Sequence, residues 1–141
     1  MKIWVLLLLV AAVSAKRFTK CELARTLKAA GMDDFFSVSL AHWVCMAFAE
    51  SNYDTRATHF IAEDGSTDYG IFQINNRRWC SDGKFPGKKD CPFTCNQLFS
   101  LQNSIDCAKI IVQKLGMTPW KGWRYECWGQ DVSKYVAGCG V

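Results

Sequence analysis

Apolar residues recur at helical spacing in three places along the chain. The first stripe is Leu23, Ala24, Leu27 and Ala30, the pattern of one buried helix face. Thr19-x-x-Glu22 at its start is a capping box, and Gly31 is placed to end the helix. A second stripe of Leu40, Trp43, Ala47 and Glu50 predicts a helix from about Leu40 to Ser51. Asn52 and Asp54 disfavour its continuation. The third stripe, Ile105, Ala108, Ile111, Val112 and Leu115, predicts a helix near Ser104 to Leu115. Asn103 would be its cap and Gly116 its end. Trp120 to Cys127 can form one more short helix.

Between the second and third stripes the period changes. Thr58 to Ala62 is short, apolar and partly β-branched, and Glu63-Asp64-Gly65-Ser66 is turn chemistry. Thr67 to Asn75 is expected to return as a strand, loosened at Gly70. Arg77 to Thr94 holds cysteines, Gly83, Pro86, Gly87 and Pro92 and reads as cross-linked loop. Neither a repeat nor a linker interrupts the chain. The expected class is α+β, with helices dominating a small antiparallel β part.

The first fifteen residues read MKIWVLLLLVAAVSA. Lys2 is a short positive lead, Ile3 to Val13 is an apolar run of 11 residues, and Val13-Ser14-Ala15 offers the small residues a signal peptidase reads. Eleven residues rise about 16 Å as a helix, roughly half the hydrocarbon thickness of a membrane. The expectation is a secretory signal over residues 1–15 and one domain over 16–141. Cleavage would leave 126 residues, lower the formal charge from +4 to +3 and keep all 8 cysteines.

In an oxidising compartment an even cysteine count implies a disulfide framework, although spacing alone leaves the pairing open. Cys91 and Cys95 could pass for a metal-binding pair. No second close pair completes a zinc site, and His42 and His59 lie far off. Half the residues are apolar and 13% aromatic, which excludes intrinsic disorder. The mild basic excess forms no stripe that would point to nucleic acid.

Glu50 is the first candidate for chemistry. It lies on the apolar stripe of its helix, behind Trp43 and Ala47, and at the negative end of the helix dipole. Both influences push a carboxyl pKa upward, as general acid catalysis near neutral pH requires. The bland alternative is a carboxylate fraying into solvent. Asp68 is the second candidate. A hairpin wall rich in Asp, Ser, Thr and Asn is expected to keep it solvated and ionised. One protonated and one ionised carboxyl facing a cleft is the arrangement of glycoside hydrolysis. Asp54, Glu63, Asp64 and Asp82 are rivals better read as surface or turn residues. Trp79, Trp120, Trp123 and Trp128 could stack on sugar rings or fill the core.

These residues resemble the c-type lysozymes, glycoside hydrolase family 22, with an invertebrate-like cast. The likeness rests on ESN-x-x-T-x-A-T from Glu50 to Thr58 and DGSTDYGIFQIN from Asp64 to Asn75. KCELA at Lys20, DCAK at Asp106 and W-x-x-W-R-x-x-C from Trp120 to Cys127 also match, as do all 8 cysteines. The resemblance implies a lysozyme-like fold with a glycan cleft between its two parts. It implies disulfides Cys21–Cys139, Cys45–Cys127, Cys80–Cys95 and Cys91–Cys107. It makes Glu50 the general acid and Asp68 the nucleophile, and it places Gln73, Asn75, Trp79 and Trp120 in substrate binding. Trp120 would make the acid's pocket apolar.

Some positions depart from the family pattern. Glu50 and Asp68 stand 18 residues apart, one more than in the chicken-type pattern. Ala62 stands where an asparagine helps hold the nucleophile, and Arg78 replaces one of a tryptophan pair. An acidic residue is missing before Gly116, and Pro119 precedes Trp120. These changes bear on distal sugar binding.

The resulting expectation is a secreted N-acetylmuramidase that cleaves peptidoglycan by a retaining, two-carboxylate mechanism. It would be bacteriolytic in defence or digestion, extracellular in a gut lumen or body fluid, and monomeric. Chitin oligosaccharides are a further substrate class. Neither a metal nor another cofactor, nucleic acid or stable membrane insertion is expected. An α-lactalbumin-like modulator would lack a catalytic carboxyl and carry a calcium-binding aspartate cluster, yet Leu98 to Cys107 holds only Asp106. A membrane-active cationic protein finds weak support in a charge of +3.

Overall fold

The computed structural model describes residues 16–141, so the expected signal over residues 1–15 lies outside the described residues. Helix α1, Lys20–Ala29, starts at a complete capping box in which Thr19 and Glu22 exchange hydrogen bonds. It ends in a Schellman motif. Gly31 N–H donates to the Lys28 carbonyl and Met32 N–H to the Leu27 carbonyl, with Gly31 at φ 80°. Helix α2, Leu40–Ser51, is capped from the loop before it, where Asp33 accepts from Leu40 N–H. Asn52 in the left-handed conformation (φ 52°) ends it and turns the chain toward the sheet.

Strands β1 (Thr58–Ile61), β2 (Ser66–Tyr69) and β3 (Ile74–Asn75) form one antiparallel sheet in the order β1-β2-β3. The single return strand expected from Thr67 to Asn75 is therefore broken in two. Gly70 (φ 84°) and Gln73 (φ 50°) fold the chain back on itself. A side chain at Gly70 would run into the Leu98 carbonyl, so no other residue fits there. The break brings Asn75 directly opposite Asp68.

A 3₁₀ turn over Cys95–Phe99 leads into helix α3, Leu101–Leu115. This helix begins earlier than expected. Ser100, not Asn103, is its cap, accepting from Asn103 N–H, while the Asn103 amide donates to the Gln97 carbonyl. Both residues are good caps, and the chain leaves the 3₁₀ turn at the first of them. Helix α4, Lys121–Glu126, and a 3₁₀ turn at Ser133–Tyr135 complete the order.

The main core joins the inner faces of α1, α2 and α3 to Ile71, Phe72, Ile74 and Trp120. Four disulfides tie the layers: Cys21–Cys139, Cys45–Cys127, Cys80–Cys95 and Cys91–Cys107. The arrangement is α+β, with helices on one side and the small sheet on the other. Among the described residues no helix is long and apolar enough to cross a membrane.

Candidate active site

Glu50 sits in the last turn of α2, on the stripe whose Leu40, Trp43 and Ala47 are buried. Its neighbour Ser51 donates from its hydroxyl to the Ile71 carbonyl at 2.7 Å, which ties the helix end to the β part. Glu50 does not fray. Gly122 N–H in the first turn of α4 donates to its Oε2 at 2.7 Å. Burial pushes the Glu50 carboxyl from 4.5 up to about 7, against the pull of the Gly122 N–H. The negative charge of Asp68 adds to the rise, and Arg124 and Lys121 oppose it.

Asp68 corrects the sequence reading. It is half-buried, and burial moves its carboxyl upward too. The polar hairpin leaves it only partly open to water, on the side where it lines the cleft. Its ionised form is held instead by Asn75, whose Nδ2 donates to Asp68 Oδ1 at 2.8 Å and to Ser66 Oγ at 2.9 Å. Asn75 Oδ1 in turn accepts from Arg77 N–H, so the amide has a single orientation.

Two recesses meet at this pair. One, of about 250 Å³, runs past Gln73, Asn75, Trp79, Pro119 and Trp120. The other, of about 660 Å³, runs past Ala49, His59, Glu63, Gly122, Tyr125 and Glu126. Glu50, Ile61, Asp68 and Lys121 line both. The two carboxyls thus stand on walls supplied by the helical and β parts, midway along a continuous cleft. A chain-like substrate can pass through it with one bond between them.

The tryptophans divide. Trp120 is buried, meets Trp43 edge-on with ring centroids 6.0 Å apart, and donates from Nε1 to the Phe72 carbonyl at 2.8 Å. That bond fixes the indole as an apolar wall beside Glu50. Trp79 lines the same recess. Trp123 and Trp128 lie elsewhere and stack on each other at 5.6 Å. Gln73 reaches the recess, but its Nε2 is committed to the Ala57 and Gly70 carbonyls.

Of the rival carboxylates, Asp54 pairs with Arg17, Asp64 closes the turn by accepting from Ser66, and Asp82 accepts from Tyr69 and Asn76. Only Glu63 reaches the cleft. The Arg78 guanidinium sits over the Trp79 ring, 4.5 Å from its centroid, and pairs with Asp90. The residue that faces the cleft before the turn is Ile61, while Ala62 is exposed outside it. Among the described residues no group of three or more His, Cys, Asp or Glu side chains could hold a metal ion.

Residues 16–139 match the family model described as C-type lysozyme/alpha-lactalbumin family. The chain is 52% identical to Lysozyme C II of Oncorhynchus mykiss over 145 aligned positions, covering 100% of both chains. It is 49% identical to Lysozyme C of Macaca mulatta and 50% identical to that of Semnopithecus entellus. Each of these covers 96% of this chain and 95% of the relative. All three relatives are vertebrate proteins.

Proposed function

The chain belongs to the C-type lysozyme/alpha-lactalbumin family, and from that premise and the cleft we propose that Glu50 and Asp68 cleave the glycan as acid and nucleophile. Membership and the named lysozyme relatives make it a glycoside hydrolase, a lysozyme acting on peptidoglycan. The finer reading is a retaining muramidase that cuts between N-acetylmuramic acid and N-acetylglucosamine. The observation that carries it is the pair itself: two carboxyls on opposite walls, one pushed to about 7 and one held for ionisation by Asn75.

Below pH about 7 Glu50 carries a proton and can pass it to the glycosidic oxygen as the bond breaks. Positive charge then develops on the sugar ring, and the Asp68 carboxylate stabilises it and closes on the anomeric carbon. Glu50, now ionised, takes a proton from the water that releases the sugar. Lysozyme is itself the type case of this chemistry, so the retaining outcome is inherited from the family.

Proton NMR of the first product released from peptidoglycan tests it. The β anomer should form first, and an initial α anomer would overturn the covalent step. The same reading has residues 1–15 removed as a signal and the protein acting as a bacteriolytic monomer outside the cell, in body fluid or gut. Chitin oligosaccharides would be cut by the same pair.

Trp120 supplies a second test. Removing the indole lets water reach Glu50, so its pKa must fall toward the ordinary carboxyl value. Trp120→Ala should move the alkaline limb of the pH–rate curve down by about one pH unit. The variant should also lose about 3–5 kcal/mol of stability, so rates are read well below its melting point. An unmoved limb would remove Trp120 from that role.

A further inference from the structure

His59 stands directly opposite Asp68 in the β1–β2 ladder. Opposed residues of an antiparallel pair project on one face with Cβ atoms about 5 Å apart. Both line the wider recess. The charged and titratable groups around them come from every wall. Asp68 lies on β2, Glu63 and Asp64 on the turn between the strands, and Glu50 on α2. Lys121, Tyr125 and Glu126 face the recess from α4.

The cations divide their work. Lys121 and Arg124 are carried on α4, against the helix end that holds Glu50, whereas His59 faces Asp68 across the ladder. Asp64 is the like charge that opposes it there. We propose that His59 is a positioning residue for the reaction, its cation facing the Asp68 carboxylate across the ladder and extending the working range of the enzyme toward acid. The inference rests on the assignment of Asp68 as nucleophile.

His59 faces the nucleophile's strand and not the helix that carries Glu50, so it acts on the Asp68 side of the site. Loss of His59 therefore touches one limb of the pH profile. The acid limb reports Asp68 ionisation, and the alkaline limb reports Glu50, which stands on the opposite wall from His59.

The experiment is the pH dependence of kcat/KM on soluble peptidoglycan glycan strands at constant ionic strength. It compares wild type, His59→Gln, His59→Lys and Asp68→Asn. His59→Gln should raise the acid limb by about half a pH unit, the effect of one charge at that separation in a water-filled cleft. Its alkaline limb should stay in place. His59→Lys, which keeps the cation, should keep the wild-type acid limb, and added salt should narrow the gap between wild type and His59→Gln. A carbon NMR titration of the Asp68 carboxyl should show the same displacement without substrate.

An acid limb that does not move in His59→Gln, or two limbs that move together, would overturn the proposal. So would a change confined to KM, since that is the mark of a sugar contact. Retained activity in Asp68→Asn would instead overturn the nucleophile assignment itself, which keeps the two failures apart.

Discussion

Glu50→Gln should clear a cell-wall suspension some 10²–10⁴-fold more slowly than wild type, the usual worth of a positioned general acid. The substitution keeps the shape of the side chain and an oxygen to accept from Gly122 N–H. What it removes is the transferable proton. Asp68→Asn should fail as completely, because an amide neither offsets the developing positive charge nor forms a glycosyl ester. Equal clearance by all three proteins would defeat the catalytic reading.

The same variant should be more stable than wild type in alkali, and the sign follows from the pKa. Folded Glu50 holds its proton up to about 7, whereas the unfolded chain releases it near the ordinary 4.5. Wild type therefore has its full stability below the lower value and loses part of it as pH rises toward the upper one. The interval corresponds to about 3 kcal/mol at full burial, and roughly half that for a carboxyl open to water on one side. Glu50→Gln escapes this loss. Thermal melts should separate the two proteins above neutral pH and bring them together in acid.

That trade explains which parts of the site were legible in the sequence. Glu50 could be found because a local period places it behind Trp43 and Ala47, and burial of that stripe is what raises its pKa. Thr19, Gly31 and Gly116 act through residues three or four places away, so the helix ends they control were readable as well. Asp68 is a different case: its place just after the turn is legible along the chain, but its partial burial is not. Its surroundings depend on the turn at Gly70–Gln73, and the need for that turn lies in the distant Leu98 carbonyl.

The Gly122 amide left a weaker trace, a lone glycine between Lys121 and Trp123 that becomes meaningful only when α4 lies against α2. Ile61 and Ala62 cannot be told apart along the chain, since which of them faces the cleft depends on strand register. The choice of Ser100 over Asn103 depends on the 3₁₀ turn before it. In each case the missing information is a contact between segments far apart in sequence.

Loss of the Cys21–Cys139 bridge should have the largest effect on stability with the least effect on the site. The bond joins residues 118 apart, tying the start of α1 to the chain end. Freeing so long a loop in the unfolded state should cost about 5 kcal/mol, against about 3 kcal/mol for the 15-residue loop closed by Cys80–Cys95. A domain of this size has only about 5–15 kcal/mol in all. The double variant Cys21→Ala/Cys139→Ala should therefore melt roughly 15–25 °C lower. Near the chain end Lys20 still donates to the Lys134 and Ala137 carbonyls, so the tail keeps a polar attachment. Neither cysteine lines the cleft, and the fraction that stays folded at low temperature should keep its kcat and its two pH limbs. The Cys80–Cys95 variant should show the reverse balance. Its bridge adjoins Trp79 in the wall of the narrower recess, so a smaller drop in melting temperature should come with weaker substrate binding. Equal melting losses in the two variants would mean that local strain, not loop length, governs what these bridges contribute.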